Sequence, residues 1–143
     1  MVERKDALGA SLHAKKMWQA QNNIFQHKNT QYVLIVSIFA KISAMETQLM
    51  IDKIQAYLAT QPVLKAWLFG SYARGEQTLE SDVDILVALD KTAHIGLFGF
   101  TQIYLDLQDL LNKEVDLVEE GTLKSYAVPF VEKDKILIYE RTC

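Results

Sequence analysis

An α/β (α+β) domain, a small mixed β-sheet with helices flanking it, is what the order of hydrophobic patterns in this chain predicts. Three observations point there. Short apolar runs that suit strands recur along the second half: VLKAWLFG (63–70), DVDILVALD (82–90), EVDLVEE (114–120) and KILIYE (135–140). Helical periodicity fills the intervals at 45–60 and 95–111. The chain has 143 residues, half of them hydrophobic and 23% charged, which suits one compact domain with a core large enough to fold unaided.

Each element has its own reason. METQLMIDKIQAYLAT (45–60) sets Leu49 or Met50, Ile54, and Tyr57 or Leu58 at helical spacing, and Gln61-Pro62 punctuates the chain after it. VLKAWLFG is a short, mostly apolar strand, which Gly70-Ser71 ends while opening a short helix. DVDILVALD is a second strand. From Ile95 to Leu111, Phe100, Ile103, Leu107 and Leu110 or Leu111 share one face, the mark of an amphipathic helix. In EVDLVEE, Val115, Leu117 and Glu119 fall on one face, and Asp116, Val118 and Glu120 on the other. TLKSYAVPFVEK reads as a short helix and turn around Pro129, and KILIYE as the last strand. The aromatics Trp67, Phe69, Phe98 and Phe100 fall at strand or helix spacing and are expected in the core.

Residues 1–44 differ from the rest. They are rich in Gln, Asn, Lys and His, and carry six basic against two acidic side chains, whereas 45–143 carry nine against sixteen. The expected division is therefore an N-terminal extension over 1–44 and a folded domain over 45–143, with Met45 a candidate natural start. YVLIVSIFA (Tyr32–Ala40) is shorter than the roughly 20 apolar residues a bilayer span needs. It is expected as a buried strand or helix, or as part of an arm, with no membrane involved. The net charge of −3 and pI near 5.6 argue against a broad nucleic-acid surface. The one cysteine, Cys143, allows neither an internal disulfide framework nor a Cys/His metal cluster, which is compatible with a reducing, cytoplasmic setting.

The chemistry concentrates in GSYARGEQTLESDVD (70–84). Side chains alternate along a strand, so Asp82 and Asp84 share a face and repel each other. A divalent cation relieves that repulsion, and magnesium prefers such hard oxygen ligands. Asp116 joins the pair if its strand lies alongside. Gly70 lets backbone pass close to a bulky ligand. Amides at a helix start, with the Ser71 hydroxyl among them, suit an anion. Taken singly, the pieces have plainer readings: a turn, solvated strand-edge charge, a surface cation at Arg74. Their spacing ties them into a device for a nucleoside triphosphate.

GSYARGEQTLESDVDILV resembles the signature G-S-x-A-R-G, a short spacer, then S-D-x-D-x-x-V, of the minimal nucleotidyltransferases in the DNA polymerase β superfamily, and the acid in VDLV fits as the third. The resemblance spans about Met45 to Glu140. It implies a polymerase-β-like fold and transfer of a nucleoside monophosphate, usually from ATP, to an acceptor hydroxyl. It implies that Gly70 and Ser71 hold the triphosphate and that Asp82 and Asp84 ligate two Mg2+ ions. Asp116 would complete one metal site and help deprotonate the acceptor, while Arg74 steadies the turn or neutralises phosphate. Stand-alone members of this size resemble the antitoxin half of HEPN/MNT modules, which implies a HEPN ribonuclease partner adenylylated on a tyrosine and no direct nucleic-acid contact. Two alternatives stand beside it: transfer to a small hydroxylated molecule such as an aminoglycoside, and a toxin-binding antitoxin whose catalytic set is idle.

Overall fold

Four strands and four α-helices follow one another among the described residues of the computed structural model, which describes 3–142, with side chains at 16, 17, 19, 20 and from 29 onward. The order is α1 (Glu3–Leu58), β1 (Val63–Phe69), α2 (Gly70–Arg74), β2 (Val83–Leu89), α3 (Leu97–Leu111), β3 (Val115–Glu119), α4 (Val128–Asp134) and β4 (Ile136–Glu140). A 3-10 turn at Lys91–Ala93 precedes α3, started by the Asp90 carboxylate, which accepts from the Thr92 amide. The strands form one sheet in the order β3-β2-β1-β4. β1 runs antiparallel to β2 and β4, while β2 and β3 are parallel. The mixed sheet with flanking helices is the fold that the hydrophobic pattern predicts.

The chain divides into two units, Met1–Ser43 and Ala44–Cys143. In the second, Met50, Ile54 and Leu58 of α1 and Ile103 and Leu107 of α3 are buried in one core with Val63, Ala66, Leu68, Ile85, Val87 and Leu117 of the sheet. Burying a side chain such as Ile54 fully is worth about 1.5–3 kcal/mol. α1 and α3 therefore cover one sheet face, and Asp84 and the buried Leu86 lie on the opposite one.

Three expectations change. The helix read over 45–60 is the end of a continuous α1 that starts at Glu3; no proline occurs before Pro62, so nothing in the backbone stops it at Met45. The run Tyr32–Ala40 is helical but not buried: Tyr32 is 70% exposed and Phe39 69%, with Val33 to Val36 exposed around the same turns. By length and hydropathy, Asn29–Leu58 is long and apolar enough to cross a membrane, because Ile42 to Leu58 extend the nine-residue run. Phe98 is 93% exposed rather than core. It lies two positions before Phe100, about 200° around the helix from the buried face.

Candidate functional site

The parallel pairing of β2 with β3 decides where the acids meet. Val83 pairs with Val115 and Asp84 with Asp116, and the Val83 amide donates to the Glu114 carbonyl at 2.9 Å. Alternation sends Val83, Ile85, Val115 and Leu117 into the core. It leaves Asp84 and Asp116 side by side on the other face. Asp82, two residues before Asp84, is exposed just ahead of the strand, and its charge acts on Asp84. The structure thus brings Asp84 and Asp116 together at one end of the sheet, with Asp82 adjoining in sequence.

β1 delivers the Gly-Ser turn to the same place. Phe69 is the antiparallel partner of Asp84, so Gly70 leaves the strand beside that carboxylate. Gly70 has φ +70, and a Cβ there would fall onto the Asp84 Oδ2 atom. The glycine is required twice over, by its left-handed backbone and by the acid that fills the space of a side chain. Ser71 follows on α2, a helix of one turn closed by Gly75 at φ +70 and by the Glu76 amide donating to the Ser71 carbonyl at 2.9 Å.

Arg74 sits at the end of α2 with two carboxylate partners. Its Nε donates to Glu76 at 2.7 Å and its Nη1 to Asp134 at 2.8 Å, which ties α2 to the end of α4. This contact serves the turn-steadying part of its expected role. The same positive charge still acts on Asp84.

The acids repel one another. Asp84 is pushed up to about 6, first by burial, then by the charges of Asp116 and Asp82, with Arg74 pulling the other way. Among the described residues, no three His, Cys, Asp or Glu side chains are gathered closely enough to hold a metal ion by themselves. That is compatible with magnesium, which commonly takes one or two carboxylates and completes its shell with water and substrate phosphate oxygens. The side-by-side Asp84 and Asp116, with Asp82 adjacent, are hard donors in mutual repulsion, and they fit such an ion once a nucleotide supplies further oxygens.

Some neighbours could not be read from the sequence. Asp134 meets Arg74 across sixty residues with no one-dimensional signal. Lys113, on the approach to β3, places its Nζ 6.0 Å from the centroid of the Tyr72 ring in α2. An apolar cleft of about 440 Å³, bordered by Leu89, Ile95, Phe100 and Glu119, lies at the other ends of β2 and β3 and contains none of the predicted acids.

Comparison with known proteins adds the following. The family described as polymerase beta, nucleotidyltransferase matches residues 52–142. Protein adenylyltransferase MntA of Thermococcus cleftensis is 38% identical over 71 residues, which is 50% of this chain and 70% of that protein. A crystal structure of a toxin–antitoxin pair with AMP-PNP superposes with a TM-score of 0.54 at 23% identity, covering 64% of this chain and 74% of the other. A complex of tri-AMPylated Shewanella oneidensis HEPN toxin with MNT antitoxin gives 0.50 at 21%, covering 66% and 73%. These two structures are likenesses of fold.

Proposed function

The chain belongs to the polymerase beta nucleotidyltransferase family, and from that premise we propose that it transfers AMP from ATP to a tyrosine hydroxyl of a HEPN ribonuclease toxin, silencing it as the antitoxin. The observation that carries this is the in-register pair Asp84 and Asp116 on one sheet face, with Gly70 packed against the first. The relative in Thermococcus cleftensis is named a protein adenylyltransferase, and the folds this chain resembles are those of toxin–antitoxin assemblies, one with AMP-PNP and one with a tri-AMPylated HEPN toxin. The reaction is magnesium-dependent and cytoplasmic, where ATP is found, and it needs no nucleic acid.

Asp82, Asp84 and Asp116 would hold magnesium together with triphosphate oxygens, and the ion would offset the negative charge gathered at the α-phosphorus. Gly70 and Ser71 lie against the triphosphate, with Arg74 holding their turn in place. The acceptor oxygen bonds to the α-phosphorus as the bond from that phosphorus to the bridging oxygen breaks, and pyrophosphate leaves with the electron pair. Asp116, exposed and beside Asp84, takes the acceptor proton. The transition state spreads negative charge over the phosphoryl oxygens, so placement and charge supply most of the catalysis.

The test is incubation with ATP, Mg2+ and the HEPN protein encoded beside it, read by intact mass and tyrosine mapping. AMP appears on a tyrosine with the native chain and not with Asp82→Ala. A tight complex that silences the ribonuclease without any mass change would replace the enzyme by a docking antitoxin.

A further inference from the structure

Lys113 is the side chain near the Gly-Ser turn that the mechanism has not used. It lies two residues before Val115, at the end of the sheet where Val83 pairs with Val115 and Asp84 with Asp116. Its ammonium is 6.0 Å from the centroid of the Tyr72 ring, within the range over which an aromatic face attracts a cation. Tyr72 is next to Ser71 in α2 and only 8% exposed, so the ring is a fixed seat. The ammonium is thereby held beside the turn that opens α2.

Four other cations of this unit are matched to acids, while Lys53, Lys91, Lys124 and Lys133 lie on α1, in the 3-10 turn, in the loop after β3 and on α4. Arg74 is paired with Glu76 and Asp134, Lys65 with Glu140, Lys135 with Glu132, and Arg141 with Asp90. Among the described residues, no carboxylate lies within ion-pair distance of Lys113. A site with three aspartates at one end of the sheet is short of positive charge before any ligand arrives, and a nucleoside triphosphate adds about four negative charges more. Lys113, a half-buried ammonium on the ring of Tyr72 and not neutralised by an acid, is one group able to meet that demand.

We infer that Lys113, seated on Tyr72, binds the pyrophosphate half of the nucleoside triphosphate, the part that departs. This rests on the transferase reading above. When the acceptor oxygen bonds to the α-phosphorus and the bridging bond breaks, the electron pair leaves on pyrophosphate. Lys113 faces the growing charge of the leaving group. A lysine suits this role as a compact point charge with three donors.

The experiment is calorimetric titration of the full chain with AMP-PNP and, separately, with AMP, both with Mg2+. Lys113→Gln weakens AMP-PNP by about tenfold or more, the scale of one lost charge-assisted contact, while AMP binds as before. Lys113→Arg keeps most of the AMP-PNP affinity, and Tyr72→Phe, which preserves the ring face, is unchanged. Unaltered AMP-PNP binding in Lys113→Gln overturns the inference, and so does equal weakening of AMP and AMP-PNP, which marks a merely structural lysine. If the native chain binds neither nucleotide, the transferase reading itself fails, which is a different outcome from a variant that binds as the native chain does.

Discussion

Asp84 carries a carboxyl whose ionisation opposes folding. Its folded-state pKa is raised to about 6, above the ordinary carboxylate value, by burial and by Asp116 and Asp82. The native chain therefore holds this proton more tightly than the unfolded chain does. No penalty exists below about pH 4, and the penalty grows to its full size as pH rises through about 6. Allowing for solvent screening at a partly exposed group, it amounts to about 1–2 kcal/mol. Asp84→Asn should accordingly melt higher than the native chain by about 5 °C near pH 7.5, and the gap should close near pH 4. The same variant should lose AMP transfer by roughly 10²-fold or more. Magnesium should raise the melting temperature of the native chain and not that of the variant. Equal melting curves at both pH values would place the carboxylate in ordinary solvent. Gly70→Ala tests the neighbouring contact: a Cβ displaces the Asp84 carboxylate, so transfer falls steeply and saturating ATP does not restore it. At this scale the sequence was informative about the acids, because alternation fixes which side of a strand a residue faces. It was silent on why Gly70 abuts Asp84, since that contact follows from the pairing of Phe69 with Asp84 across two strands.

The elements were legible to within a residue or two where a hydrophobic period ran between clear stops. β1, β2, β3 and β4 each fall inside the runs quoted for them, and α3 ends at Leu111 where Asn112 turns left-handed. The start of α1 is not legible from periodicity, because a helix without proline continues whether or not its side chains find cover. The exposure of Phe98 does not follow from its spacing, because one aromatic can be assigned to a face only once the helix phase is known. The α2–α4 tie is the element-scale feature that no pattern announces. Arg74 lowers the proton affinity of Asp84, so Arg74→Gln should move the acidic limb of the transfer rate to higher pH. Asp134→Asn keeps the arginine charge and loosens only the tie, and it should leave that limb where it was. A pH–rate profile of both variants checks this; coincident shifts would mean that the contact with α4, not the charge, sets the site.

For the molecule as a whole, the composition and order of elements fixed the fold class, and the signature motif carried the family. The nature of residues 1–43 did not follow from either. The core contributed by α1 begins at Met50, and the family match begins at 52. A chain starting at Met45 should therefore keep the transfer rate of the full chain and its cooperative melting, measured by single-turnover AMP labelling and circular dichroism. Loss of transfer with the fold intact would give residues 1–44 a part in the reaction. The exposed apolar turns from Tyr32 to Ile42 make the longer chain the more prone to self-association, a difference that light scattering would register.

The parallel pairing of β2 with β3 has one more consequence. Neighbouring strands that run the same way need a crossover, and here α3 lies on that path, so Asp84 and Asp116 become neighbours only after a long loop has closed around a docked helix. During refolding, helical signal should recover first and nucleotide-handling ability last. Partly assembled chains are then inert by construction, and a newly made polypeptide gains its chemistry in one late event.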